Sequence, residues 1–206
     1  MNSHILQNCP RIFFIGVGGQ GTLTATRLLA EAALLADLQV ISGEVHGMAQ
    51  RGGIVESALL LGGWNSPRIA PGEADIILGF EPLETYRALP FLTTGGAVFS
   101  SLDPIYPLSV SLGHGEYPDI KEIMGFTHRK TDFCHFISCN ALGKQAGSEK
   151  SGAVALLGAL CASGIIPIAI EHLALAISKN FKSEIAAINI RAMNLGAKTV
   201  PYSVKK

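Results

Sequence analysis

Two short stretches of this 206-residue chain hold residue types and spacings that can do chemistry. The first is Glu44-Val-His-Gly-Met-Ala-Gln-Arg-Gly-Gly53, which gathers Glu44, His46, Gln50 and Arg51 within eight residues. Burying that many polar groups for packing alone is costly. An arginine or histidine placed there can hold a carboxylate or a phosphate through charge-assisted hydrogen bonds. A structural reading stands beside this one: Glu44 and Arg51 pair with each other while Gly47, Gly52 and Gly53 shape the backbone. The two do not exclude each other. The second stretch, Gly16-Val-Gly-Gly-Gln-Gly21, spaces Gly16, Gly18 and Gly21 as G-x-G-x-x-G, with Gly19 and Gln20 between them. Where such a turn opens a helix, free N–H groups and a partial positive charge invite an anion such as phosphate. A dinucleotide site also wants an acidic residue at the end of the second strand, about 20 residues past the turn. Ser42 and Gly43 occupy that region and Glu44 comes late. An independent NAD(P)- or flavin-binding oxidoreductase therefore stands as an alternative.

The other reactive side chains form no comparable constellation. There is no H-E-x-x-H, no G-x-S-x-G and no phosphate-binding P-loop. Of the six histidines, His4, His114, His135 and His172 read as structural or solvated, and His128 sits in the basic run His128-Arg129-Lys130, a solvated face. Cysteines 9, 134, 139 and 161 include no C-x-x-C pair, so no iron–sulfur or zinc site is expected, and the last three read as buried small hydrophobes.

The elements needed to position these stretches are those of an α/β domain. Arg11 to Val17 is a continuous apolar run, as in a strand covered on both faces. From Thr22 the period becomes helical, with Ala25, Leu28, Leu29, Ala32, Ala33 and Ala36 on one face and Asp37 ending the helix. Leu38 to Ser42 reads as the next strand, which places His46 just beyond a strand's carboxyl end, where open α/β sheets hold ligands. Ile54 to Leu61 and Ala74 to Phe80 are further strands, Pro82 opens a short helix bent by Pro90, and Gly95-Gly96 turns into a strand over Ala97 to Ser101. Asp103 to Tyr117 is irregular, Pro118 to Met124 suggests a helix, and Phe133 to Ser138 returns to the sheet. The last third is helical: Pro167 starts one helix and Ser183 caps another, in which Ile185, Ile188, Ala192 and Leu195 face inward and Gly196 is the stop. The expected fold is a three-layer α/β/α sandwich on a mostly parallel or mixed Rossmann-like sheet, with residues 1–206 as a single domain.

Composition narrows the partners. Net charge is zero, so neither nucleic acid nor an anionic membrane has an electrostatic footprint to bind. Charged residues make up 16% of the chain, against about 25% in ordinary soluble domains. A subunit with permanent interfaces has such a surface, and so does a chain with a large core. The uncharged run Ser151 to Ile170 has bilayer-spanning length, but Gly158, Gly164 and Pro167 break it into core helices. Met1 to Pro10 lacks the basic start and apolar segment of a signal peptide, so a cytoplasmic protein is expected.

Glu44 to Gly53 resembles the signature loop of the small subunit of indolepyruvate ferredoxin oxidoreductases, within the 2-oxoacid:ferredoxin oxidoreductase gamma-domain family. The Gly16 to Gly21 turn is similar to that family's first turn. Ser66-Pro67 with Pro71-Gly-Glu-Ala-Asp75, and Gly79-Phe-Glu-Pro-Leu-Glu84, are similar to its next blocks. Leu156-Leu-Gly-Ala-Leu160 matches more loosely, and Gly152-Ala153 stand where relatives carry an asparagine. The resemblance implies a complex that oxidatively decarboxylates an aryl 2-oxoacid such as indolepyruvate with coenzyme A, giving an acyl-CoA, carbon dioxide and reduced ferredoxin. Thiamine diphosphate, magnesium and the 4Fe-4S clusters would belong to a large partner subunit, and this chain would be inactive alone. On that reading the first stretch, Glu44, His46, Gln50, Arg51, Gly52 and Gly53, faces the partner's active site. Gly16, Gly18, Gly19, Gln20 and Gly21 would seat the phosphates of coenzyme A. A purely structural assembly subunit is the remaining alternative.

Overall fold

The computed structural model describes residues 9–46 and 53–201, with the backbone alone for Val45 and His46. In chain order the elements are β1 (Arg11–Val17), α1 (Thr22–Leu35), β2 (Val40–His46), β3 (Ile54–Leu61), β4 (Ala74–Gly79), α2 (Pro82–Ala88), β5 (Leu92–Ser101), α3 (Leu108–Ser111), α4 (Ile120–Lys130), β6 (Phe133–Ile137), α5 (Cys139–Ala146), α6 (Gly152–Ala162), α7 (Ile170–Asn180) and α8 (Ser183–Ala197). The strands form one sheet in the order β2-β3-β1-β4-β5-β6. β1, β4, β5 and β6 run parallel to one another, whereas β3 is antiparallel to both β1 and β2. The sheet is thus mixed, and the acidic position sought on β2 lies a strand further from β1 than in a dinucleotide-binding domain.

β1 alternates between two cores, as a central strand covered on both faces must. Ile12 and Phe14 join the larger core with α1, α6, α7 and α8, and Phe13 and Ile15 join a smaller one with α2. Phe13 stacks on Phe91 with ring centroids 4.7 Å apart. No helix among the described residues is long and apolar enough to cross a membrane.

Several boundaries differ from those read in the sequence, each for a tertiary reason. β2 continues past Ser42 to His46 because it pairs with β3 as far as His46 opposite Val55. Glu44 therefore lies within the strand, opposite Ser57, and His46 is its last residue rather than the first beyond it. Gly95 and Gly96 do not turn the chain. They lie inside β5 at a register irregularity against β4, where a Cβ on Gly96 would stand 2.9 Å from the Asp75 carbonyl oxygen. α4 extends to Lys130, so His128, Arg129 and Lys130 form its last turn, which suits the helix dipole. α7 begins at Ile170 rather than Pro167, and Lys182, not Ser183, is the N-cap of α8. The buried face of α8 is Ala186, Asn189, Ala192, Met193 and Gly196, and Ile185 is 49% exposed. Gly196 is not a stop but a crossing point: a Cβ there would meet the Ala155 carbonyl group of α6, as one on Gly158 would meet that of Met193.

Candidate functional site

A cleft of about 1020 Å³ opens at the carboxyl ends of the parallel strands. Its walls follow β1 (Gly18 to Gly21), β4 (Phe80), β5 (Ser101, Asp103) and β6 (Cys139, Asn140). The cores place α1 on one face of the sheet and α2 on the other. The boundary between β1 and β4 is therefore a point where successive connections leave in opposite directions, the usual ligand position in such sheets.

The turn after β1 is built for close approach. Gly19 and Gly21 have φ of 103° and 83°, a left-handed backbone that glycine adopts without penalty. A Cβ on Gly16 would stand 2.8 Å from Thr22 Oγ1 and 2.9 Å from Gln20 Oε1. Gln20 is occupied internally. Its Oε1 accepts from the Val17 amide at 2.8 Å and its Nε2 donates to the Phe80 carbonyl at 2.7 Å, lacing the ends of β1 and β4 together. The Gly18 amide donates to the Gly53 carbonyl at 2.9 Å, so the far end of the Glu44 to Gly53 stretch is tied to the glycine turn.

Two helix starts at the cleft have no side-chain cap. α1 begins at Gly21, with no capping side chain and no acidic residue in its first turn, and the same holds for α6 after Ser151. Both lend the cleft free amides and positive dipole ends. Lys150 and Glu149, both exposed on the 3-10 turn before α6, also line the cleft, and Glu149 pairs with Lys144 at 3.5 Å. The start of α5 differs, because Asp103 already occupies it. That carboxylate accepts from the Asn140 amide at 2.7 Å, Ser138 Oγ at 2.8 Å and Ser101 Oγ at 3.0 Å.

On the other side of the sheet a buried carboxylate fixes one wall. Glu81, 1% exposed, accepts through Oε1 from the Tyr117 hydroxyl at 2.5 Å and the Ile105 amide at 3.2 Å, and through Oε2 from the Glu84 amide at 2.8 Å. It thereby caps α2 and holds the irregular segment that carries Ile105 to the cleft. Burial and the Glu81 carboxylate push the Tyr117 hydroxyl far above its ordinary value. Glu84 is also buried. One of its oxygens meets Arg87 at 2.6 Å and the other has no partner among the described residues. Burial raises its pKa above the ordinary 4.5, Arg87 offsets part of that, and Glu81 and Glu56 add to it.

Because folded Glu84 holds its proton more tightly than the unfolded chain does, its stabilising contribution is complete below about pH 4.5 and is lost as pH rises through the raised value. Glu84→Gln does not titrate. Urea unfolding at a series of pH values should show Glu84→Gln gaining on the parent between about pH 4.5 and 7. A difference that stays constant over that range would refute the assignment.

The structure brings Gly18, Gly19, Gln20 and Gly21 to the cleft, with Gly16 behind them as a packing contact. Glu44 lies on β2, and Gly53 is bound to the turn. The His46 side chain and residues Gln50, Arg51 and Gly52 lie outside the described residues, as does His4. Sequence reading missed Asp103, Asn140, Lys150 and Asn189, which come to the cleft from separate segments. Thiolate chemistry does not fit here. Burial pushes the thiols of Cys139 and Cys161 up to about 12 and that of Cys134 to about 11, and no group of three or more metal-ligating side chains occurs among the described residues. Cys134 is only half-buried, unlike Cys139 and Cys161.

Comparison with known proteins places these features in a lineage. The profile of the family described as pyruvate ferredoxin/flavodoxin oxidoreductase matches residues 11–199. Indolepyruvate oxidoreductase subunit IorB of Archaeoglobus fulgidus is 37% identical over 185 residues, covering 90% of this chain and 92% of its own. The subunit of the same name from Pyrococcus horikoshii is 38% identical over 190 residues, covering 91% and 94%. Among solved structures, the gamma subunit of a keto/oxoacid ferredoxin oxidoreductase from Geobacter sulfurreducens superposes with a TM-score of 0.66 at 22% identity, over 92% of this chain and 97% of that one. The 2-oxoglutarate:ferredoxin oxidoreductase from Magnetococcus marinus, solved with 2-oxoglutarate, coenzyme A and succinyl-CoA bound, gives 0.70 at 21% identity, over 97% of this chain and 33% of that one.

Proposed function

We propose, from the premise that this chain belongs to the pyruvate ferredoxin/flavodoxin oxidoreductase family, that it is the small subunit of an indolepyruvate-type 2-oxoacid:ferredoxin oxidoreductase. The observation that carries this is the 34–39% identity to IorB subunits over nine-tenths of both chains. The complex decarboxylates an aryl 2-oxoacid oxidatively, transfers the acyl group to coenzyme A and passes the electrons to ferredoxin. It works in the cytoplasm. Residues 1–206 form one domain, since every described strand lies in one sheet.

Thiamine diphosphate, magnesium and the 4Fe-4S clusters, held by the large subunit, supply carbanion stabilisation and electron transfer. The part of this chain is to bind, orient and exclude water. Coenzyme A lays its phosphates against Gly18 to Gly21, where the uncapped start of α1 adjoins that of α6, with Lys150 also lining the cleft. Gly16 and Gln20 hold that turn in shape from behind. Glu44, His46, Gln50, Arg51, Gly52 and Gly53 face the large subunit, and the Gly18–Gly53 hydrogen bond couples them to the same turn.

Anaerobic purification of the native complex should yield a brown large subunit with this chain, and the preparation should reduce a viologen dye only when both indolepyruvate and coenzyme A are present. A colourless, partner-free protein that a dinucleotide protects against heat would overturn the proposal. Gly19 has open space around its Cα, so Gly19→Ala intrudes on the ligand's place and strains a left-handed backbone without meeting any protein atom. Its KM for coenzyme A should rise about tenfold or more, equivalent to roughly 1.4 kcal/mol of lost binding. An unaltered KM would remove the turn from the coenzyme site.

A further inference from the structure

Residues 104–118 follow β5 as an arm that neither core covers. Ile105, Tyr106, Leu108 and Leu112 are 40%, 58%, 74% and 61% exposed, and none of them belongs to either hydrophobic cluster. Over its whole length the arm carries one full charge, Glu116. A lone exposed apolar side chain needs no explanation, but four in one short, charge-poor segment form the kind of patch that marks a protein contact. Poor in charge and rich in aromatic and aliphatic groups, the arm has the composition of an interface centre and not of a rim.

The arm is also held ready. Glu81 Oε1 accepts from the Ile105 amide at one foot and from the Tyr117 hydroxyl at the other, so a single buried carboxylate closes the loop. The Tyr106 and Tyr117 rings meet edge to face with centroids 5.2 Å apart. Between the feet, α3 and the turn after it bond back onto the carbonyls of Pro107 to Val110. A loop whose ends share an anchor keeps its shape in the free chain, and little ordering entropy is lost when a partner covers it.

What covers the arm follows from size and setting. Four side chains are only part of the about 800 Å² that each partner gives to a stable pair. The contact therefore runs beyond the arm, and Ile105 carries it onto the rim of the cleft. In the M. marinus structure this fold is 33% of a longer polypeptide, whereas the IorB relatives, matched over 92–94% of their own lengths, are named as subunits. Resting on the small-subunit reading above, we infer that the 104–118 arm is a docking surface for the large subunit, which meets it with an uncharged, apolar face beside the cleft. A strongly charged partner would find only Glu116 to pair with. A second copy seated on the arm would compete for the rim that the large subunit must reach.

The test titrates this full chain onto the tagged large subunit, prepared anaerobically. Leu108→Asp and Leu112→Asp should each raise the Kd of assembly about thirtyfold or more, the range of a lost interface anchor, while the free variants melt like the parent. Leu34→Asp and Leu175→Asp, at positions 60% and 52% exposed on helices of the opposite face, are the controls and should assemble normally. Leu108→Ser is measured alongside in case aspartate disturbs α3. In the unmodified protein, amide hydrogen exchange over residues 104–118 should slow on assembly. Variants that assemble like the parent, or an arm that exchanges equally in both states, overturn the inference. So do controls that weaken assembly as much as the arm variants. A dimer of the free chain that Leu108→Asp dissolves without altering affinity for the large subunit assigns the arm to a second copy and overturns it too. If the parent chain itself does not bind the large subunit, the small-subunit reading fails and this inference with it.

Discussion

Gly158→Val is expected to lower the unfolding free energy by about 3 kcal/mol or more, and Gly196→Val by a similar amount. At both positions α6 and α8 touch backbone to backbone. A Cβ on Gly158 would stand 2.8 Å from the Met193 carbonyl carbon, and one on Gly196 would stand 2.5 Å from that of Ala155. No rotamer relieves such a collision, because the opposing atoms belong to the main chain. The helices must separate, and the interior around them, including the fully buried Leu156, Leu157 and Leu160, must loosen. For a chain of this length the melting temperature should fall by roughly 6–12 °C, read by calorimetry or circular dichroism. Gly125→Ala is the control: its Cβ meets nothing closer than 3.7 Å, and it should stabilise α4 by about 0.5–1 kcal/mol. If the valine variants melt like the parent, the close crossing is wrong.

Glu81→Ala should cost about 3–5 kcal/mol, the usual price of removing one member of a buried charged network. Three donors, the Tyr117 hydroxyl and the amides of Ile105 and Glu84, lose their acceptor at once. Glu81→Gln keeps an acceptor oxygen and should cost about 1–2 kcal/mol, and Tyr117→Phe about 1 kcal/mol. A double-mutant cycle between positions 81 and 117 should show coupling of about 0.5–3 kcal/mol by urea unfolding. Additive losses would mean that Glu81 and Tyr117 act separately. Limited proteolysis offers a second readout, since the segment near Ile105 should become the first site cut in Glu81→Ala.

The reach of the sequence can be judged from particular elements. β1, the glycine turn and α1 were legible because their signals are local: a continuous apolar run, a spaced glycine set and a helical period follow one another within 25 residues of Arg11. β2 was read four residues short because its hydrogen bonds go to β3, across the stretch that separates them. In α8 the large apolar residues suggested one face, yet the helix is buried through Ala186, Ala192 and Gly196, since the close approach of α6 selects for small size rather than hydrophobicity. Gly95 and Gly96 carried a turn signal but serve a strand irregularity, a use that composition cannot distinguish. The site divided in the same way. The turn was visible, whereas Asp103, Lys150 and Asn189 are ordinary residues in their own segments and become a wall only through the order of strands and the crossing of α6 with α8.

The insertion of β3 between β1 and β2 also constrains how the chain emerges during translation. When only the residues through His46 have been released, β1, α1 and β2 are complete, but β1 and β2 are not neighbours in the finished sheet. A gap one strand wide, about 9–10 Å across two interstrand spacings, separates them. Neither strand can pair with the other without displacing the register that the fold requires. Until Ile54 to Leu61 arrive, both keep open ladder edges, the condition in which nascent chains meet chaperones or one another.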